Sequence, residues 1–331
     1  MMDLLTPLLD SALRVTVILG VSLGVMFALR HSAAALRHLL LSLAIAGSLL
    51  APVMTFVAPA WRPDFVDRVL RSVETENAGA ADAARASGVT TTESTQLPSL
   101  DAARPPSEKQ ESAASAAAGI ILPIWIAGVI VFAGILLTGL ARLRWLASRS
   151  RRVADEEPLA AMVDELASGR GVNRPVTLFW NDRSWLLVTW GFFHPRVMLP
   201  AAAAARWSDE RLRVVISHEL AHVRRGDWIT QLAAELLRAV FWFNPLVWIV
   251  CRRLRAESEL ACDDEVLNGG IEGVDYAGHL LDLARVLNTP RHAWLSAPAM
   301  ARPSSLEGRI SAMLNAGLNR HPVSRAARAV T

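Results

Sequence analysis

Two stretches of 23 residues without a charge, Leu39 to Trp61 and Gly119 to Ala141, constrain this 331-residue chain more than any other feature. A hydrocarbon core about 30 Å thick is crossed by about 20 apolar helical residues, since each adds about 1.5 Å and a helix satisfies its own backbone polar groups. Both stretches therefore read as membrane helices. A third uncharged run, Val15 to Leu29, reaches spanning length only when the amphipathic turn Pro7 to Arg14 joins it. A cleaved signal peptide is the rival reading of that run. Its small residues, Ser32 to Ala35, lie beside Arg30 and His31, while Asp10 and Arg14 precede the apolar stretch, so retention is the expectation. A composition of 52% hydrophobic and 20% charged residues also argues against an ordinary soluble enzyme.

The short loops set the orientation. Arg30 and Arg37, with His31 and His38, separate the first two runs, and Arg142, Arg144, Arg149, Arg151 and Arg152 crowd the end of the third. Basic loops stay in the cytoplasm, so both ends are expected there. The N-terminus and the stretch between the second and third runs then face outward. Asn77 to Ala118 is dominated by Ala, Ser and Thr and lacks apolar periodicity, which predicts a disordered extracytoplasmic loop rather than a ligand-binding domain. The expected partition is residues 1–61 as two transmembrane helices, 62–118 as the loop, 119–145 as the third span, 146–290 as a cytoplasmic domain and 291–331 as a cytoplasmic tail. Net charge is only +3 and the arginines flank spans and helix ends, so lipid is the expected partner and direct nucleic-acid binding has little support.

Chemistry concentrates in His218-Glu219-Leu220-Ala221-His222. On a helix, residues i and i+4 share a face, so both imidazoles can reach one metal ion while Glu219 leans toward its open position. Zn²⁺ held by two His and a carboxylate lowers the pKa of a bound water to about 7, and an adjacent Glu then serves as general base for peptide hydrolysis. Ser208 with Asp209 and Glu210 reads as a helix start, and Arg224, Arg225 and Gly226 as its end, predicting a helix from about Asp209 to about Arg225. The third ligand is expected from Arg255 to Glu265, where Glu259 and Asp263 share a face. Glu259 is then the ligand and Asp263 supports a ligand histidine from behind, with Glu257, on the opposite face, the weaker candidate. A metzincin pattern fails, because Arg225 and Trp228 stand where Gly and His are required.

Two further segments flank this motif. Pro175 to Trp180 and Arg196 to Leu199 read as short strands, and a strand near the metal can capture an extended peptide by β-augmentation, though strands that merely cover the helices are an equal reading. Trp228 to Cys251 is apolar but carries Glu235 and Arg238 and breaks at Asn244-Pro245. A single crossing would draw Glu259 away from the histidines, so a helical hairpin over 228–251 that dips into the bilayer is preferred, with a buried core hairpin as its rival.

These residues carry a resemblance. Trp190-Gly191-Phe192-Phe193-His194-Pro195-Arg196-Val197-Met198-Leu199-Pro200, His218 to Asp227, Trp242-Phe243-Asn244-Pro245-Leu246-Val247-Trp248, Glu259-Leu260-Ala261-Cys262-Asp263 and Ser305 to Ile310 resemble the BlaR/MecR family of membrane-embedded zinc peptidases that transduce β-lactam-induced resistance. The resemblance implies a mainly α membrane protein: a transmembrane bundle with a cytoplasmic α+β gluzincin-type domain. It implies Zn²⁺ bound by His218, His222 and Glu259, with Glu219 as base, and a winged-helix repressor as the protein whose loss is the outcome. Sensing members add a further span and a penicillin-binding domain. Between Met1 and Thr331 no S-x-x-K acylation motif occurs, since the lone Lys109 has Pro106 three residues before it, so these residues are not expected to form the receptor.

The leading expectation is a zinc endopeptidase that cuts a cytoplasmic regulator or itself. Housekeeping proteolysis of membrane proteins and a non-catalytic scaffold with a structural metal are the alternatives, and a second copy or a sensor is an open partner. Packing is the leading role for Tyr276, with hydrogen bonding to an oxyanion, by it or His279, the alternative. Cys251 and Cys262 read as reduced packed thiols and Asp227 as a helix cap, while Gly20 and Gly24 read equally as a small-residue packing pair or as a chance spacing.

Overall fold

The computed structural model describes residues 2–57, 107–182, 186–287 and 303–321, and it is mainly helical. Three of its helices are long and apolar enough to cross a membrane. They lie in α1 (Met2–Ala28), α2 (Ala34–Val57) and α3 (Ser107–Ser148), with candidate spans Pro7–Ala28, Ala34–Val53 and Gly119–Ser148. The first joins the amphipathic turn to the apolar run, which gives 22 residues, or about 33 Å. The third helix begins at Ser107, inside the stretch read as a loop; the rest of that loop, residues 62–106, lies outside the described residues. Leu13, Val17, Val21, Ile124, Ile130 and Leu137 project outward, an apolar surface that water would penalise and lipid would not.

After α3 come β1 (Arg151–Arg152), α4 (Pro158–Gly169), β2 (Thr177–Asn181), β3 (Val188–Trp190), β4 (Arg196–Pro200) and α5 (Ala201–Arg206). The strands form one sheet in the order β1-β2-β4-β3, with β2 and β4 parallel and the other two pairs antiparallel. β3 and β4 are thus a hairpin whose turn begins at Gly191. That residue has φ +89°, and a Cβ there would meet the His194 carbonyl at 2.7 Å, which explains glycine in this phrase. β3 is too short to show alternation, so only β2 and β4 were legible as strands.

The central helix is α6 (Asp209–Arg225), buried on nearly every side. It starts where Ser208 Oγ accepts the Arg211 N–H at 3.3 Å and stops at Gly226, whose φ of +70° only glycine adopts without strain. Leu212, Val215, Ile216 and Leu220 pack it on the sheet and α4 through Val163, Leu178, Val197 and Leu199. Arg174 donates to the Val223 carbonyl at 2.7 Å near its last turn and stacks on Phe192 at 4.5 Å.

α7 (Asp227–Val240) and α8 (Pro245–Asn268) form the expected hairpin, with Asn244 as its corner. The Asn244 side chain accepts the Leu246 N–H and donates to Thr16 Oγ1 at 2.9 Å, tying the corner to α1. Trp125 Nε1 donates to the Val240 carbonyl and Trp248 Nε1 to the Trp242 carbonyl, so backbone acceptors freed by the break are satisfied by tryptophans. Leu237, Phe241, Val247, Val250 and Leu254 join Val15, Leu19, Leu41 and Ile45 in one core, so the hairpin packs on α1 and α2. Gly20 and Gly24 take no part in close packing, since nothing lies within 4 Å of an added Cβ at either. The close approach is instead at Gly128, where an added Cβ would collide with the Trp242 indole. Chain order alone does not reveal which helix faces meet.

The chain continues through α9 (Gly273–Leu287) and α10 (Pro303–Leu314), which close over α6 and α8 through Tyr276, Ala277 and Met313 against Val214 and Val266. Residues 303–314 were expected as part of a tail but form a packed helix; residues 288–302 and 322–331 lie outside the described residues.

Candidate metal centre

α6 presents His218 and His222 one turn apart, with ring centroids 4.9 Å apart, and α8 brings Glu259 against them. Glu259 Oε2 lies 3.6 Å from His218 Nε2, and Oε1 lies 3.8 Å from His222 Nε2. One ligand atom from each residue falls within 4.8 Å of the others, spacing suited to a single ion. His222 Nε2 and Glu259 Oε2 are buried and make no hydrogen bond; Arg309 Nη1 lies 3.0 Å from Oε2 without the angle of one. Burying a ring nitrogen such as His222 Nε2 without a partner costs about 1–3 kcal/mol, and a cation there removes that cost. Two imidazoles and a carboxylate are also the donor set of an open tetrahedral zinc site, so these residues fit a divalent ion.

Each histidine is held from behind at Nδ1. Asp263 Oδ1 lies 3.2 Å from His218 Nδ1, and the Tyr276 hydroxyl lies 2.9 Å from the same nitrogen while donating to Asp263 at 2.7 Å. Arg309 donates to both Asp263 oxygens at 2.7 and 2.6 Å, a bidentate pair. Burial opposes the Asp263 charge, but the Arg309 guanidinium and the His218 hydrogen bond outweigh it and hold that carboxyl below its ordinary range. The same contest, won by Arg309 and His218, brings Glu259 down to about 2. Both carboxyls are ionised at neutral pH.

On the other side, Asp227 Oδ2 lies 2.8 Å from His222 Nδ1 and accepts from Ser258 Oγ at 2.6 Å. Asp227 is therefore not a cap: Gly226 is the N-cap residue of α7, and the Asp227 side chain turns back toward α6. Cys262 Sγ is 3.3 Å from His222 Nδ1, behind the ring, where Nδ1 already faces Asp227. Both cysteines are buried and free. Glu257 points away and pairs with Arg37 at 2.7 Å.

Glu219 is buried, and its Oε2 accepts a hydrogen bond from Thr189 Oγ1 at 2.5 Å. With His222 and Glu259 it lines a cavity of about 770 Å³ that runs along α3, α7 and α8. Thr189 sits on β3, an edge strand among the described residues. Neither proposed oxyanion donor faces this space: Tyr276 serves Asp263 and His218, and His279 Nδ1 accepts from Arg211. Arg309, Tyr276, Asp227 and Thr189 were not predicted in these roles, and no residue spacing marks them out. Arg309 lies in Ser305 to Ile310 and Asp227 in His218 to Asp227, two phrases that carried the resemblance, and those were their signals.

A mainly helical chain with three membrane-length helices and two histidines facing a glutamate has the makings of a membrane metallopeptidase. The chain belongs to the BlaR1 peptidase M56 family, whose model matches residues 6–313. It is similar to the regulatory protein BlaR1 of Bacillus licheniformis, 38% identical over 80 residues, which are 24% of this chain and 13% of that protein. The regulatory protein BlaR1 of Staphylococcus aureus is 25% identical over 169 residues, 50% of this chain and 28% of that protein. The methicillin resistance mecR1 protein of Staphylococcus epidermidis is 29% identical over 80 residues, 24% of this chain and 14% of that protein. The matched region spans less than a third of each of these curated relatives.

Proposed function

We propose that this chain is a membrane-embedded zinc endopeptidase of signal transduction, with His218, His222 and Glu259 as ligands and Glu219 as general base. The observation that carries the reading is the convergence of ligand atoms from His218, His222 and Glu259 within 4.8 Å of one another beside the Glu219 cavity, with His222 Nε2 buried and making no hydrogen bond. When bound, the ion supplies Lewis-acid activation of a water and of the scissile carbonyl. Glu219 takes the proton of the attacking water and returns it to the leaving amine, and the Thr189 hydrogen bond fixes which carboxylate oxygen is free to do so. Asp263 and Asp227 hold the two imidazoles with Nε2 aimed at the ion. The β3 edge beside Glu219 suits an extended peptide, adding a strand to the sheet.

The proposed topology draws support from neighbouring contacts. Arg37 and His38, near the start of α2 and beside the basic loop that contains Arg30, face Glu257 and Asp227, which supports a gluzincin-type centre at the cytoplasmic end of the spans. The α7–α8 hairpin then enters the bilayer from that side, and residues 146–290 form the cytoplasmic peptidase unit. The substrate is a cytoplasmic regulator of the winged-helix repressor type or the chain itself, in keeping with the regulators it is similar to. Glu219→Gln in membranes carrying the full chain should abolish processing while zinc content stays within twofold of wild type. Persistent processing would end the peptidase reading.

A further inference from the structure

We propose that His38, on membrane helix α2, is a positioning residue of the metal centre that restrains the Asp227 carboxylate and through it His222. The proposal rests on His222 being a metal ligand. Asp227 is 3% exposed, and side chains from three other helices converge on its carboxylate. Oδ2 takes His222 Nδ1 and Ser258 Oγ, while Oδ1 faces Arg225 Nε at 3.3 Å and His38 Nε2 at 3.7 Å. A carboxylate engaged at one oxygen can swivel about its Cβ–Cγ bond; partners on both oxygens stop it. His222 then keeps one ring orientation, which fixes where Nε2 points.

His38 is 6% exposed, and its Nε2 makes no hydrogen bond. Burying a ring nitrogen without a partner is unfavourable, and an approach of about half an ångström to Asp227 Oδ1 converts this contact into a hydrogen bond. The neighbouring residue points the same way. Arg37 pairs with Glu257 at 2.7 Å, two residues before Glu259 on α8. Consecutive residues of one span therefore lie against the support of His222 and pair with the helix that supplies Glu259.

The test uses the full chain in detergent micelles, with zinc affinity from chelator competition and the visible spectrum of the cobalt-loaded protein. His38→Leu fills the space without a donor and should weaken zinc about 3- to 10-fold, a step below the ~10- to 100-fold expected for direct partners of ligands. It should also shift the cobalt bands. His38→Gln carries an amide nitrogen near the Nε2 position and should restore both to near wild type. Unchanged affinity and spectrum in His38→Leu would overturn the proposal, as would equal weakening in both variants, which would mark His38 as packing alone. Wild-type protein that takes up no stoichiometric zinc would instead overturn the metal reading, and the proposal with it.

Discussion

His218 and His222 stand one turn apart on one helix, yet they are supported by different parts of the molecule. Behind His218 are Asp263, Tyr276 and Arg309, drawn from α8 and the two C-terminal helices and locked by a bidentate ion pair. Behind His222 are Asp227, Ser258, Arg225 and, at longer range, His38, drawn from α7, α8, α6 and α2. The first support closes on a bidentate ion pair, and the second spreads one carboxylate over single contacts from three other helices. The difference teaches that two ligands of one centre can be held by separate layers of a fold.

If that contrast is real, Arg309→Ala should have the largest effect. It strands two buried carboxylates, so a loss of about 3–5 kcal/mol is expected, read as a collapse of thermal stability in the metal-free protein. A small loss would erase the distinction between the two sides. Asp227→Asn should leave the fold intact but weaken zinc about 10- to 100-fold in chelator competition. Tyr276→Phe removes one hydroxyl from the His218 side and should cost about 1–2 kcal/mol in thermal unfolding, without the affinity loss of Asp227→Asn. The smallest effect is expected at Asp264, beside Arg320, where burial raises the carboxyl from 3.8 to about 6 against the pull of that arginine. A raised folded-state value means the favourable contribution is complete below 3.8 and is lost as pH rises through about 6. Asp264→Asn should thus stabilise the chain above pH 7, by about 1 kcal/mol after allowance for solvent screening, and be neutral in acid. A pH-independent effect would remove charge burial as its cause.

Much of the architecture is local and so can be read from the chain. The cap at Ser208, the glycine at Gly226 and the four-residue spacings of His218 with His222 and of Glu259 with Asp263 are short-range patterns, as is the corner at Asn244-Pro245. The rest depends on distant segments meeting. Nothing around Arg309 distinguishes a buried guanidinium from a solvated one, and Asp227 after a glycine looks like any helix start. His38 looks like loop charge until α2 packs against α7. Two-residue β1 and three-residue β3 are too brief for periodicity to register.

The origin of Arg309 in α10 also bears on how the protein is made. His222 precedes Arg309 by 87 residues, which a ribosome adding about 5–20 residues per second takes roughly 4–17 s to cover. Within that interval Glu259 and Asp263 also emerge, and for the 46 residues that separate Asp263 from Arg309 both carboxylates lack their guanidinium. The support behind His218 is thereby completed only when the last of these helices, α10, has been made.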